Sequence, residues 1–163
     1  MKTIEEYIKE SLSAEDKAIA LELIKYLREK NLDFHKDDGP CWRDKIYYWV
    51  KYNNQRCVCF IAIKDPEEPN NRWTVWSDDI SSEWLENYPI ENELKQTAWN
   101  HVGKCGSCGS CSGGKPKIIF GKRYPRVCGC TFRIDNPDND DLMFIKRMVE
   151  LQIEESMQHS NYS

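Results

Sequence analysis

Hydrophobic residues recur at helical spacing near both ends of the chain and predict two amphipathic helices. The first covers 13–30, with Ser13 as its capping residue and acidic residues in its first turn. The second covers 139–155 and follows the start signal Asn136-Pro137, and the polar chain after 156 is expected to fray. A preceding segment, 4–12, favours a short helix or a frayed first turn.

The middle of the chain is rich in β-branched and aromatic residues. Two such runs, 45–52 and 55–63, are joined by Asn53-Asn54, which tolerates the positive φ of a two-residue hairpin turn. The register set by that turn places Cys57 and Cys59 on one face with Ile46, Val50 and Ile61, and Tyr47, Trp49, Val58 and Phe60 on the other. Both faces are apolar, so we expect helices over one face and either a cover or a ligand groove on the other.

The remaining elements follow from shorter signals. Residues 72–77 predict a third strand, 84–88 a short helical or irregular piece, and 90–102 a helix that stops at Gly103. Residues 117–134 predict a second hairpin with a turn through Pro125, whereas Asp37-Asp38-Gly39-Pro40 makes 32–42 a loop. His35, Asp37 and Asp38 in that loop are interpreted as solvated residues.

Together these elements predict an α+β fold: an antiparallel sheet with flanking N- and C-terminal helices and a cysteine-rich metal-binding loop. We expect one domain over 1–163, with the metal-binding loop and its hairpin at 103–134 and a frayed tail after 156. The length of 163 residues is sufficient to bury a core.

Five of the eight cysteines form two clusters, Cys105-Gly-Ser-Cys108-Gly-Ser-Cys111 and Cys128-Gly-Cys130. The repeated C-x2-C spacing in a bendable loop, with a second group on a later strand, is typical of a closed tetrahedral zinc site. Zinc takes four ligands, and alternate residues of a strand lie ~6.6 Å apart, so one cysteine of the second cluster is expected to be spare. We predict a structural zinc ion bound by Cys105, Cys108, Cys111 and Cys128, with Cys130 as the substitute.

Other interpretations of the cysteine clusters stay open at this stage. An iron–sulfur cluster also uses four such thiolates, although the ferredoxin continuation x3-C-Pro is absent. An ion-free glycine-rich loop is possible too, and a thioredoxin-type redox pair is disfavoured because the loop follows a helix C-terminus. His101 is a weaker ligand candidate. Cys57 and Cys59 are interpreted as buried core thiols.

Charge and hydropathy restrict the partners. The net charge of −4 and pI near 5.5 argue against a nucleic-acid partner. The local cations Lys115, Lys117, Lys122, Arg123 and Arg126 are explained by a solvated hairpin. No apolar run approaches the ~18 residues of a membrane span and no signal peptide is visible, so we expect a cytoplasmic protein with reduced thiols and no membrane partner.

Two stretches carry a resemblance: Arg72-Trp-Thr-Val-Trp-Ser-Asp-Asp79, and the run from Trp99-Asn-His through the cysteines to Ile119-Phe-Gly-Lys122, Val127-Cys128 and Asn136-Pro137. They resemble a group of small, uncharacterised bacterial cysteine-containing proteins over roughly residues 40–150. More distantly, the order of helix, antiparallel strands and helix is similar to MmcQ/YjbR-like α+β proteins. The resemblance implies a fold and a metal loop, without a substrate.

Two classes of function fit these observations. The first is a non-enzymatic domain with structural zinc, whose aromatic face binds a small molecule or a protein partner; oligomerisation through that face is the variant. The ligand-binding candidates are Trp42, Tyr47, Trp49, Trp73 and Trp76. The second is a metal-dependent or thiol-based enzyme, but no G-x-S-x-G, H-E-x-x-H or phosphate-loop motif is present.

Overall fold

A computed structural model describes residues 2–39, 45–54, 56–64, 70–77, 84–87, 89–104 and 114–160. Its sheet has seven strands in the order β1-β2-β3-β4-β7-β5, with β6 paired to β7 off this path, and every pairing is antiparallel. The strands are β1 (Asp33–Lys36), β2 (Ile46–Tyr52), β3 (Arg56–Ile63), β4 (Trp73–Ser77), β5 (Val102–Lys104), β6 (Lys115–Ile119) and β7 (Lys122–Asp135).

Five helices flank the sheet in the described ranges, which confirms the α+β class. They are α1 (Ile4–Ser11), α2 (Ala14–Glu29), α3 (Trp84–Asn87), α4 (Asn92–Asn100) and α5 (Asn139–Ser160). Helix α1 begins with a capping box between Thr3 and Glu6 that satisfies two backbone donors at its first turn. Helix α5 continues to Ser160, beyond the end predicted at 155.

The main core lies between the helices and one face of the sheet, here called the helix face. Leu23, Leu27, Ile61, Ile134 and Ile145 are completely buried in it. Helices α2 and α5 are also joined by the Tyr26 hydroxyl, which donates to Glu150 Oε1 at 2.9 Å and to the Lys146 carbonyl at 3.1 Å. Burial and the bond to the Glu150 carboxylate raise the pKa of Tyr26 well above its ordinary value.

The register of the β2–β3 hairpin differs from the predicted one. Asn53 and Asn54 do adopt positive φ (52° and 57°), but Tyr52 pairs with Arg56, so the loop has three residues instead of two. Val50 then pairs with Cys59 and Lys51 with Cys57, which leaves Val58 as the extra residue of a β-bulge.

The bulge changes which residues share a face. Cys59 and Val58 belong to the helix face, whereas Cys57 packs with Tyr47 and Phe60 on the opposite face. The prediction that Cys57 and Cys59 lie side by side is therefore wrong, because one inserted residue reverses the alternation of a strand. Both thiols are nevertheless buried, as expected for core cysteines.

Three other segments depart from the prediction. The helix predicted over 90–102 ends at Asn100, and Val102–Lys104 forms strand β5 because it pairs with β7. Asp33–Lys36, assigned to a loop, forms the edge strand β1 on β2. The second hairpin turns at Phe120-Gly121, where φ is +47° and +89°, and β7 continues without a turn through Pro125. The pairing between β6 and β7 shifts near this proline, which is where a strand tolerates a residue without a backbone donor.

Candidate functional site

Cys128 and Cys130 lie in an irregular stretch of β7. Val102 of β5 pairs with Phe132 and Lys104 pairs with Val127, so a single β5 residue, Gly103, faces the four β7 residues 128–131. The backbones approach closely there. A Cβ placed on Gly103 would lie 3.4 Å from the carbonyl oxygens of Cys130 and Thr131 and 3.7 Å from Cys128 Cβ. These are ordinary van der Waals distances, so Gly103 packs directly against the irregular cysteine stretch.

The chain enters and leaves the first cysteine cluster beside this stretch. Lys104, the last described residue before 105–113, pairs with Val127. Lys115, one residue after the description resumes at Gly114, pairs with the same Val127. A residue in a strand has one neighbouring strand on each side. Strands β5 and β6 therefore flank β7 on opposite sides at Val127, the residue before Cys128.

Lys117 stabilises the bulged stretch from the neighbouring strand. Its ammonium donates to Thr131 Oγ1 at 2.7 Å and to the Cys128 carbonyl at 3.4 Å. The carbonyl of the irregular backbone is therefore bonded although it lies outside the regular ladder. The side chain of Cys130 packs against the aromatic cluster of the sheet, while Cys128 lies beside Gly103.

His101 follows α4 and bonds to the first turn of α5 through its Nε2 atom, 2.8 Å from Asp141 Oδ1. Burial alone would raise the pKa of Asp141, but the bonds from His101 and from the Asp138 backbone outweigh it and lower that pKa. The imidazole thus already has a carboxylate partner, which supports a structural role. A polar cleft of about 360 Å³ adjoins it, lined by Asn100, His101, Val102, Gly103, Arg133 and Asp135.

Aromatic rings from three strands meet on the face of the sheet opposite the main core, and we call Tyr47, Trp49, Phe60 and Trp76 the aromatic face. Tyr47 stacks on Phe60 with centroids 5.9 Å apart, and Trp49 contacts Phe60 edge-on at 5.0 Å. Trp76 lies 6.0 Å from Tyr47. Tyr47 and Phe60 are buried, whereas Trp49 and Trp76 are half-buried. Parts of two indole rings therefore remain accessible.

Polar groups orient the two accessible indoles. Trp49 Nε1 donates to Asp37 Oδ2 at 2.9 Å, and the other oxygen of Asp37 accepts from the Gly39 backbone, also at 2.9 Å. Lys51 Nζ lies 5.6 Å from the Trp49 ring centroid, and the Arg133 guanidinium lies 5.6 Å from that of Trp76. Each ring is thus paired with a cation at a distance where cation–π attraction operates.

The structure does not unite all predicted ligand-binding residues. Trp73 is 1% exposed and packs in the main core under the helices, because it alternates with Trp76 along β4. Its assignment to the same wall as Trp49 and Trp76 is therefore corrected. Trp42 and the three cysteines of 105–113 lie outside the described residues. Of the predicted binding set, Tyr47, Trp49 and Trp76 come together.

The described ranges contain no group of three or more His, Cys, Asp or Glu side chains able to hold a metal. Two contacts that shape the site were missed from the sequence: the Asp37–Trp49 bond, because Asp37 was interpreted as solvated, and the His101–Asp141 pair. The residues of the second pair are 40 positions apart, so no local pattern indicates it.

No protein-family model, curated protein or solved structure matches this chain. The resemblance to small bacterial cysteine-containing proteins and to MmcQ/YjbR-like folds thus stays a hypothesis. No helix in the described ranges combines the length and apolar character needed to cross a membrane.

Proposed function

We propose that the protein is a non-enzymatic α+β domain stabilised by a zinc ion that Cys105, Cys108, Cys111 and Cys128 bind. One observation carries this proposal: Lys104 and Lys115, which bracket 105–113, both pair with Val127, the residue before Cys128. Paired Cα atoms lie ~4.5–5.5 Å apart and the chain advances at most ~3.6 Å per residue. The segment with three thiols therefore starts and ends within reach of the fourth.

The local chemistry supports zinc in a closed site. Four thiolates satisfy the tetrahedral preference of Zn²⁺ and leave no open position for a substrate, which is the usual arrangement of a structural site. Cys128 is favoured over Cys130 because Cys130 packs against the aromatic face, whereas Cys128 lies beside Gly103. A cytoplasmic location is part of the proposal, since thiolate ligands must stay reduced.

The two β7 cysteines provide a matched pair of variants. We expect Cys128→Ser to lose most of the bound zinc, because serine does not supply a thiolate, and Cys130→Ser to keep about one zinc per chain. Zinc is measured by elemental analysis of protein purified under reducing conditions, together with an absorption spectrum. Loss of zinc from Cys130→Ser alone would show that Cys130, and not Cys128, is the fourth ligand. A brown protein that contains iron would instead indicate that the cysteines bind an iron–sulfur cluster.

A second function rests on the aromatic face, for which we propose binding of a small planar aromatic anion. Trp49 and Trp76 leave ring surface accessible, and Lys51 and Arg133 place positive charge beside them. Apolar ring surface with a few convergent polar groups is how small-molecule sites are usually built. A protein partner, or a second copy of the chain, would use the same two indoles as anchors.

The dye 8-anilinonaphthalene-1-sulfonate is a planar aromatic anion and a suitable probe. We expect saturable binding that weakens about tenfold or more in Trp49→Ala, as for a central aromatic anchor. Trp99→Ala is the control, because Trp99 is also half-buried and lies under a cation, Lys122 at 5.5 Å, but packs against the main core instead of the aromatic face. Equal weakening by both variants, or dye binding that does not saturate, would reject the site.

A further inference from the structure

Lys117 contacts both ends of the irregular stretch of β7 that carries Cys128 and Cys130. This stretch, residues 128–131, is opposite a single residue of β5, and we call it the cysteine bulge. The Lys117 ammonium donates to the carbonyl of the first bulge residue, Cys128, at 3.4 Å. It also donates to the side-chain hydroxyl of the last bulge residue, Thr131, at 2.7 Å. A single cation therefore joins the two ends of the cysteine bulge.

The contact with Thr131 depends on the shape of the cysteine bulge. Lys117 pairs through its backbone with Tyr124, and Thr131 lies seven positions further along β7. Seven residues of extended strand would cover ~23 Å, which a lysine side chain cannot span. The chain of the bulge is therefore compact, in agreement with the register of β5, where two positions of β5 correspond to five of β7. Because Lys117 bonds to both ends, it holds the bulge in this compact form.

The charge of Lys117 matters because the surrounding sequence lacks carboxylates. Residues 94–134 contain eight Lys and Arg and no Asp or Glu. The negative charge that this segment can form near neutral pH is therefore that of its cysteine thiolates. Four thiolates around Zn²⁺ carry a net charge of about −2. A charge that is partly removed from water is costly unless an opposite charge lies nearby, and the Lys117 ammonium supplies such a charge at Cys128.

Lys117 differs from the other cations of β6 and β7 in its burial and its partners. It is half-buried, and its ammonium bonds to uncharged oxygens of the cysteine bulge. Arg133, by contrast, is paired with the carboxylate of Asp135 at 3.1 Å. The remaining cations of these strands are exposed: Lys115, Lys122, Arg123 and Arg126. Water and salt screen exposed charges more than half-buried ones, so Lys117 is the cation of the hairpin best placed to act on the bulge cysteines.

We propose that Lys117 is a positioning residue of the zinc site, which holds Cys128 in place and offsets the negative charge of the four thiolates. The inference rests on the proposed zinc function. Lys117 is not itself a ligand, because a protonated amine has no lone pair to give to a metal. Residues that bond to metal ligands typically change metal affinity by about 10–100-fold when they are substituted. The same magnitude is expected for removal of the Lys117 ammonium.

The test compares variants that lose the same charge from two lysines of β6. Lys117→Met removes the ammonium at nearly the same side-chain length, and its zinc affinity should fall by about 10–100-fold. Lys115→Met removes an exposed ammonium and should change the affinity by less than about threefold. Lys117→Arg keeps both the charge and the donors, so it should restore most of the affinity. Zinc affinity is measured by competition with a chelating dye at fixed pH under reducing conditions.

Thermal melting with and without a chelator separates this role from packing. Lys117→Met should lose more of the zinc-dependent rise in melting temperature than Lys115→Met at the same limiting zinc concentration. Equal zinc affinities in these two variants would overturn the inference and leave the zinc site intact. A lower melting temperature of Lys117→Met with unchanged zinc affinity would show a packing role only, and would also overturn it. A wild type that binds no zinc would reject the proposed zinc function, and this inference with it.

Discussion

Phe132→Ala is expected to lower the free energy of unfolding by about 3–5 kcal/mol, since deletion of a buried ring leaves a cavity. Phe132 is completely buried in β7. Its ring stacks on Phe120 at 6.4 Å and meets Phe144 of α5 edge-on at 5.1 Å. It therefore joins the cysteine-bearing strand to the C-terminal helix. At ~2–4 °C per kcal/mol, the melting temperature should fall by roughly 6–20 °C.

Phe34→Ala is the matched control, because it removes the same ring from the half-buried edge strand β1. Its ring packs on the main core and lies 4.3 Å from the Arg28 guanidinium, and we expect less than half of the loss seen for Phe132→Ala. Both variants are compared by denaturant unfolding and thermal melting. A loss at Phe132 no larger than at Phe34 would contradict the packing described for β7 and α5.

Local signals were sufficient to predict the helices. The apolar stripe and the cap at Ser13 predicted a helix over 13–30, and α2 covers Ala14–Glu29. The C-terminal stripe placed the start of α5 correctly at Asn139 but ended it five residues early. In both helices the apolar spacing and the N-terminal signals lie within a few turns of one another, so neither depends on distant contacts.

The strand registers depended on contacts that are remote in sequence. Strand β3 is a continuous apolar run because almost all of its residues are buried, and such a run shows no alternation from which a bulge at Val58 could be read. Strand β1 has a loop-like sequence ending in a turn signal. It is a strand because it pairs with the open edge of β2.

Some features of the candidate site were likewise visible in the sequence, whereas others depended on distant contacts. The cysteine spacing and the aromatic enrichment are visible in the sequence, but the two indoles of β4, Trp73 and Trp76, are three residues apart and lie on opposite faces of the strand. Which of these two indoles is buried depends on where the helices pack, which periodicity does not show. Lys104 and Lys115 both pair with Val127 because β5 and β6 flank β7. This strand order cannot be read from the local sequence.

Cys108→Ser should remove the zinc and the stability that zinc contributes. A ligand that binds only the folded chain stabilises it by about 4 kcal/mol when its free concentration is 1,000 times the dissociation constant. Because the described residues already form a continuous main core between the helices and the sheet, we expect the variant to fold but to melt at a lower temperature. The measurements are zinc content and thermal melting, each with and without a chelator.

The chelator separates metal loss from packing loss. Wild type with chelator should melt near the temperature of Cys108→Ser, and the chelator should not lower that variant further, because its zinc is already absent. Cys59→Ala is the control. Its thiol is 2% exposed in the main core, so the substitution should cost about 1 kcal/mol or more through packing while zinc content and the chelator response persist. Unchanged zinc in Cys108→Ser, or zinc loss in Cys59→Ala, would place the metal elsewhere in the chain.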